Sequence, residues 1–369
     1  MSNYFKLDRV TVENYRSIER CEVDLGRITF LVGANGSGKT SFIDALAFVS
    51  VSLTSSPEQA VRNRRGIHSL LHWPVRLPAR FSIELSVSSS DGLEAYYAFQ
   101  IATANGTAVS VAREECRVFN PDGTEHQYIV EGGEVRGTET VFPAISPDRL
   151  FLVNASGLPS FRAVYDFLSG FLITEFTAGG PFAARNSLTA RYPELRERHP
   201  DRTRMVEEYL RAIAPSFERL DVVTIEGRPW LGFIERGIAD GFDMSEVSGG
   251  LLHAAMMLMD LFEPPREGRP ASLVALEEPE AFLHPAAVRI LRDAFLEASE
   301  FRQILVTSHS SDLLDDPGIP GEWIRVVHRG ITGTEIRPLD SATNSIIRDQ
   351  LFTAGELLRQ GGLERTDGH

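Results

Sequence analysis

The stretch 31–46, LVGANGSGKTSFIDAL, constrains this chain more than any other. An apolar run from Ile28 to Val32 reads as a strand. A glycine-bearing loop follows, and Phe42, Ala45, Leu46 and Val49 then share one face of a helix. Gly33 to Thr40 fit G-x-x-x-x-G-K-[ST] at every fixed position. These residue types suit close approach to phosphate. Glycines let backbone N–H groups wrap the α- and β-phosphates, and the helix N-terminus adds partial positive charge. Lys39 would reach the β/γ-phosphates, and the Thr40 hydroxyl would ligate Mg²⁺. Gly33, Asn35, Gly36, Ser37, Gly38, Lys39, Thr40 and Ser41 are therefore the candidate contacts to a nucleoside triphosphate, ATP in the first instance.

The 369 residues suffice for one large domain or two. No apolar run approaches the ~18–20 residues of a bilayer span, and MSNYFKLDRV lacks the basic-then-apolar pattern of a leader. Two cysteines, Cys21 and Cys116, make neither a disulfide framework nor a metal cluster. Cytoplasmic residence is the expectation. The net charge of −14 is unlike that of a dedicated non-specific nucleic-acid binder. Any DNA contact has to be local and work against the global field. The local candidate is the acid-free stretch 59–83, with Arg62, Arg64, Arg65, Arg76 and Arg80. Pairing of those arginines with the chain's own surplus acids is the alternative.

Residues 5–14 alternate as a half-buried strand does, and Cys21–Leu25 reads as a second. Four runs between about 81 and 132, separated by Ser-Asp-Gly, Asn-Gly and Pro-Asp-Gly, predict an antiparallel meander. From Pro147 to Ile213 the pattern is helical, and Leu220–Gly237 returns to strand. Helix, strand, helix, strand and a closing pair of strands follow, with SIIRDQLFTAGELL expected as one helix. The fold class is α/β: a parallel core sheet, an antiparallel meander and a helical lobe.

Three further sites lie downstream. Ser248-Gly249-Gly250 opens an apolar helix and offers a hydroxyl and bare N–H groups to an anion, or simply an N-cap. Glu277 and Glu278 end the buried strand SLVAL; one carboxylate can hold the water shell of Mg²⁺ and the other take a proton from attacking water. His309 stands just past the strand ILVTS, where it could contact a γ-phosphate.

The order GANGSGKT, SGG, LVALEEPEAFLHP, VTSHSSDLL resembles the ABC-type ATPase heads of the SMC, RecF and OLD group. The opening VTVENYRSIERCEVDLGRITFLVGANGSGKT is similar to that group's N-terminal signature, and LFTAGELLRQGGL to the ending of its stand-alone members. The resemblance implies a single head over 1–340, with a lobe at 1–150, a helical insertion at 151–240, the remaining motifs at 241–340, and a helix and tail at 341–369. It implies Lys39 and Thr40 as Walker A, Glu277 as the Mg²⁺-side acid, Glu278 as general base and His309 as switch histidine. Ser248 and Gly250 would be the signature motif, reaching the γ-phosphate of the opposite subunit in a homodimer. Gly249 and Leu251 depart from the SDGT usual in this subset. Arg16 is a further candidate for touching nucleotide or DNA, and Gln100 and Gln127 are both candidates for the Q-loop glutamine.

No heptads separate Thr40 from Ser248, so no long coiled-coil arm is expected. The 30 residues beyond Leu339 (340–369) are too few for a nuclease domain. Asp312, Asp315 and Asp316 read as helix-end solvation and not as a metal site. No guanine-reading NKxD is present, which argues against a GTPase. The expected output is a DNA transaction or phage defence with a separately encoded effector. The alternative is an ATP-dependent regulatory switch that binds a protein partner without nucleic acid.

Overall fold

Strands β1 (Phe5–Tyr15) and β2 (Ile18–Asp24) form a hairpin, and β3 (Ile28–Val32) runs through the glycine loop into α1 (Lys39–Thr54). The computed structural model describes residues 4–363 apart from 76, 107, 147, 175–179, 226–227, 239–240, 243, 245, 266–271 and 282. After α2 (Pro57–Asn63) come β4 (Ala79–Ser89), β5 (Glu94–Thr103), β6 (Ser110–Phe119), β7 (Glu125–Glu131) and β8 (Glu134–Gly137). Next are α3 (Phe151–Ala155), α4 (Pro159–Ser169), β9 (Leu172–Thr174), α5 (Gly180–Arg198) and α6 (Pro200–Ile213). A hairpin of β10 (Phe217–Ile225) and β11 (Arg228–Glu235) precedes α7 (Gly249–Phe262), β12 (Val274–Glu277), α8 (Pro285–Ala298) and β13 (Ile304–Ser308). The chain closes with α9 (Ser311–Leu314), β14 (Ile324–Arg329), β15 (Thr334–Pro338), α10 (Ser341–Arg348) and α11 (Ala354–Arg359).

The α/β class is as expected. The core sheet runs β15-β14-β3-β13-β12-β9, parallel except for the edge strand β15. Its inner strands read as continuous apolar runs because both faces are covered. Ile28, Phe30 and Val32 face one core with α6, α7 and α8; Leu31, Ala275 and Leu305 face the other. That second core is shared with α1, α4 and an antiparallel sheet ordered β2-β1-β4-β5-β6-β7-β8. Helix α1 therefore lies between the two sheets, which is why Phe42, Ile43, Leu46, Phe48 and Val49 are all buried.

The structure departs from the sequence reading in three places. The meander is continuous with the N-terminal hairpin, because β1 pairs with β4, and β8 adds a further strand. Leu172–Thr174, expected as helix, is the edge strand β9, parallel to β12. Gly170 ends α4 there, and three residues are too short to show a period. SIIRDQLFTAGELL is two helices, not one. Gln350 adopts φ 54°, and Thr353 starts α11 with a capping box: its hydroxyl accepts from Glu356 N while Glu356 accepts from Thr353 N. Arg76 and the tail 364–369 lie outside the described residues.

Candidate active site

All five residues of β3 are buried between β13 and β14, so the loop after it is presented from a rigid edge. Lys39, 5% exposed, donates to the carbonyls of Gly33 (2.6 Å) and Ala34 (3.0 Å). Asn35 and Gly36 are exposed at the loop tip. Two glycines of the loop are dictated by the neighbouring strands. A Cβ at Gly33 would sit 2.0 Å from the Val327 carbonyl oxygen. At Gly38, where φ is +113°, it would sit 1.9 Å from Thr334 Oγ1. Thr334 Oγ1 also donates to the Ser37 carbonyl (2.9 Å), and Ser17 Oγ donates to Ser41 Oγ (2.8 Å). Ser41 is thus held against the β1–β2 turn.

The acids converge on this loop from β12. Thr40 Oγ1 donates to Glu277 Oε2 at 3.3 Å, although the two residues are 237 positions apart. Glu278 has φ 43°, and its N–H is fixed by Thr307 O and Thr307 Oγ1, both at 3.1 Å. A non-glycine residue in that conformation is strained by roughly 1–2 kcal/mol, so the surroundings have to hold it. The turn brings Glu278 Oε1 to 3.4 Å from His309 Nδ1. Lys39, Thr40, Glu277, Glu278 and His309 are therefore brought together.

Ser248 is not joined to them. It is exposed and is the N-cap of α7, its hydroxyl accepting from Leu251 N at 3.3 Å. Among the described residues no hydrogen bond links it to the glycine loop. Gly250 is the second residue of the same helix. Arg16 is pinned to Asp44 of α1 (2.8 Å), which also binds Arg64 (2.7 Å) and Tyr15. Gln100 and Gln127 sit mid-strand in β5 and β7 of the antiparallel sheet. In the stretch 59–83, Arg62 pairs with Glu58 and Arg64 with Asp44, while Arg65 and Arg80 are exposed. A cleft of about 730 Å³ beside Thr40 is lined by Arg16, Asp44, Asn63, Arg64 and Arg65. The three aspartates 312, 315 and 316 are ion-paired and not merely solvated: Asp312 and Asp315 with Arg359, Asp316 with Arg292.

Sequence reasoning missed two supporting residues. Glu280 Oε1 accepts from Ser308 Oγ and from His309 N (3.3 Å), tying the β12 turn to the histidine loop. Its position two beyond Glu278 was the only signal. His253 on α7 is 1% exposed, and burial pushes its pKa down to about 4. A lone polar residue in LLHAAMMLM was the clue there.

The AAA ATPase domain family matches residues 5–120, and the family described as AAA domain, putative AbiEii toxin, Type IV TA system matches 174–316. No curated protein matches in sequence. Among solved structures, the SmcHead bound to the C-winged helix domain of ScpA superposes with TM-score 0.57 at 16% identity, over 91% of this chain and 98% of that one. The Smc head domain with an extended coiled coil bound to the C-terminal domain of ScpA, from Pyrococcus furiosus, gives 0.55 at 14% identity, over 95% and 99%. The fold is that of an SMC-head-like P-loop ATPase, a fold that supports ATP binding and hydrolysis. Among the described residues no helix is long and apolar enough to cross a membrane.

Proposed function

We propose that this chain, which belongs to the SMC, RecF and OLD-like group of ABC-type ATPases, hydrolyses ATP with Glu278 as general base in a head-to-tail, ATP-gated homodimer. The observation that carries the reading is the pairing of Glu278 with His309 at 3.4 Å next to the Thr40–Glu277 contact at 3.3 Å. Lys39 leaves the loop carbonyls for phosphate oxygens, and the N-terminus of α1 faces the same anion. Asn35, Gly36, Ser37, Gly38 and Ser41 contribute N–H or hydroxyl donors around it. Glu278 takes a proton as the water oxygen bonds the γ-phosphorus and the bond to the ADP oxygen breaks. His309 orients that carboxylate. The Thr40 hydroxyl and Glu277 carboxylate are the hard oxygen donors that Mg²⁺ accepts. When bound, the ion would offset charge on the β- and γ-phosphate oxygens.

Ser248 supports the dimer. Exposed and unattached to its own loop, it is available to the γ-phosphate held by a second copy. Each site would then be completed by the partner's Ser248 and Gly250. The gated output we assign, by resemblance, to a DNA transaction or phage defence with a separate effector. The AbiEii-type description and the ScpA-bound Smc heads agree with a partner-dependent role. The second reading is a regulatory switch acting on a protein alone. The internal pairing of Arg62 and Arg64 and the −14 charge favour it.

Steady-state ATP hydrolysis tests both levels. Glu278→Gln should lower kcat by about 100-fold or more. Lys39→Ala and Ser248→Arg should each be inactive, and mixing them should recover activity through heterodimers with one intact site. No recovery would sink the head-to-tail dimer. Stimulation by DNA that falls steeply with salt supports the nucleic-acid reading; a DNA-indifferent rate supports the protein switch.

A further inference from the structure

The ending LFTAGELLRQGGL lies outside the glycine loop and the acids of β12, yet three of its residues are committed to one neighbour, α9. Thr353 Oγ1 donates to Asp315 Oδ1 at 2.7 Å, just past the end of that helix. Arg359 donates from Nε to Ser311 Oγ at 3.1 Å, and from Nη2 to Asp312 Oδ1 at 3.4 Å and to Asp315. A Cβ at Gly355 would stand against the Ser311 carbonyl oxygen and 2.7 Å from Asp315 N, so glycine lets α11 and α9 meet backbone to backbone. Ala354 and Leu357 are buried in the core beneath, which fixes α11 itself. Helix α9 needs such a support, because its four residues are too few to stand as a helix alone. It begins two residues after His309. Ser310 Oγ caps it, accepting from Asp312 N at 3.2 Å, and Ser310 N donates to Ser308 Oγ at 2.9 Å. On the other side Glu280 Oε1 accepts from Ser308 Oγ and from His309 N. His309, its ring half-exposed, thus stands between a tie to the β12 turn and a tie to α11.

We infer that Thr353, Gly355 and Arg359 are positioning residues: by fixing α9 they hold His309 at its 3.4 Å distance from Glu278. The inference rests on the catalytic reading above for its consequence in turnover. The rival role is plain packing of a C-terminal helix, and the two roles differ in what Arg359 is worth. Its ion pairs lie at the surface, the side chain being 45% exposed, and such pairs add little to stability. A packing role therefore predicts that removing the guanidinium changes almost nothing. A positioning role predicts a loss in kcat out of proportion to any loss in Tm, with ATP binding by Lys39 and the glycine loop untouched.

Arg359→Ala should lose about 10-fold in kcat. Its Tm should stay within about 2 °C of wild type, and its affinity for a fluorescent ATP analogue should be unchanged. Arg359→Lys, which keeps the charge but not the planar fork, should recover part of kcat. In a His309→Ala background the Arg359→Ala change should cost nothing further, because the group it positions is gone. Amide hydrogen exchange supplies a readout without turnover. The peptide spanning residues 306–312 should exchange faster in Arg359→Ala, while α8 keeps its protection. Wild-type kcat in Arg359→Ala, an equal fold-loss in the His309→Ala background, or wild-type exchange at 306–312 overturns the inference. A wild-type chain that does not hydrolyse ATP refutes the proposed function instead, and the exchange measurement then decides alone whether α11 holds the loop.

Discussion

Single residues here carry constraints from two sides. Under the proposed function Gly38 admits phosphate, yet it is also pressed by Thr334, and its φ of +113° excludes side chains independently. Gly38→Ala should abolish ATP binding measured with a fluorescent nucleotide. Adding Thr334→Ala removes the Oγ1 and Cγ2 contacts but neither the residue 334 Cβ, 2.7 Å away, nor the backbone strain, so only part of the affinity should return; full recovery would show that the Oγ1 and Cγ2 contacts were the whole constraint. Glu114 is a second case. Buried in the antiparallel sheet, it accepts from Tyr97 (3.1 Å), Tyr128 (2.9 Å) and the N–H groups of Phe151 and Leu152 that open α3. Burial raises its pKa in spite of those four donors. Glu114→Gln turns an acceptor edge into a donor facing donors, and should cost about 1–3 kcal/mol in urea denaturation. An unchanged midpoint would mean that the amide finds acceptors around it.

At the level of elements, α7 joins stability to pH. His253 titrates near 6.5 in an unfolded chain and near 4 in the fold, because burial disfavours the imidazolium. Between those values the unfolded state holds more protons than the native state. The stabilisation is therefore complete above 6.5 and is lost as pH falls toward 4, on the order of 3 kcal/mol in all. His253→Leu should remove that acid-side slope; a slope of equal size in the variant would place the titrating group elsewhere. The elements themselves were legible in the sequence wherever period and length coincided. The alternation in FSIELSV and EAYYAFQIA reports one packed face, and the unbroken run ITFLV reports a strand covered on two. Strand β9 was hidden because sheet pairing with β12, and not local pattern, makes it a strand. The break between α10 and α11 was hidden because LFTAGELL keeps helical composition across it, and only the Thr353–Glu356 box marks the restart.

Across the whole molecule, the site is assembled from segments that the chain keeps far apart. Lys39, Glu277, Glu278 and His309 could be named from residue type and strand ends, because the proposed phosphate and water chemistry calls for such groups there. The bonds from Glu278 N to Thr307 and from the His309 loop to Glu280 could not, since they depend on which strand ends lie side by side. The same interlocking bears on cooperativity. Phe48 on α1 packs edge-on to Phe81 (5.2 Å) and Tyr15 (6.1 Å) of the antiparallel sheet, while the core sheet meets α1 from the other side. Phe48→Ala should cost about 3–5 kcal/mol. In a variant keeping Trp323, packed on the far core, as its only tryptophan, fluorescence and circular dichroism should shift together in urea. Separate transitions would show two independently folding parts.

The contact between residue 33 and β14 has a consequence for how such a chain can change over generations. The atom that excludes a side chain at Gly33 is the main-chain oxygen of Val327, 2.0 Å from where a Cβ would stand. No substitution at 327 moves a carbonyl, so no second-site replacement there opens the space. A descendant that gave up nucleotide altogether could discard Lys39 and Glu278, but it would inherit glycine at 33 for as long as β14 lies beside β3.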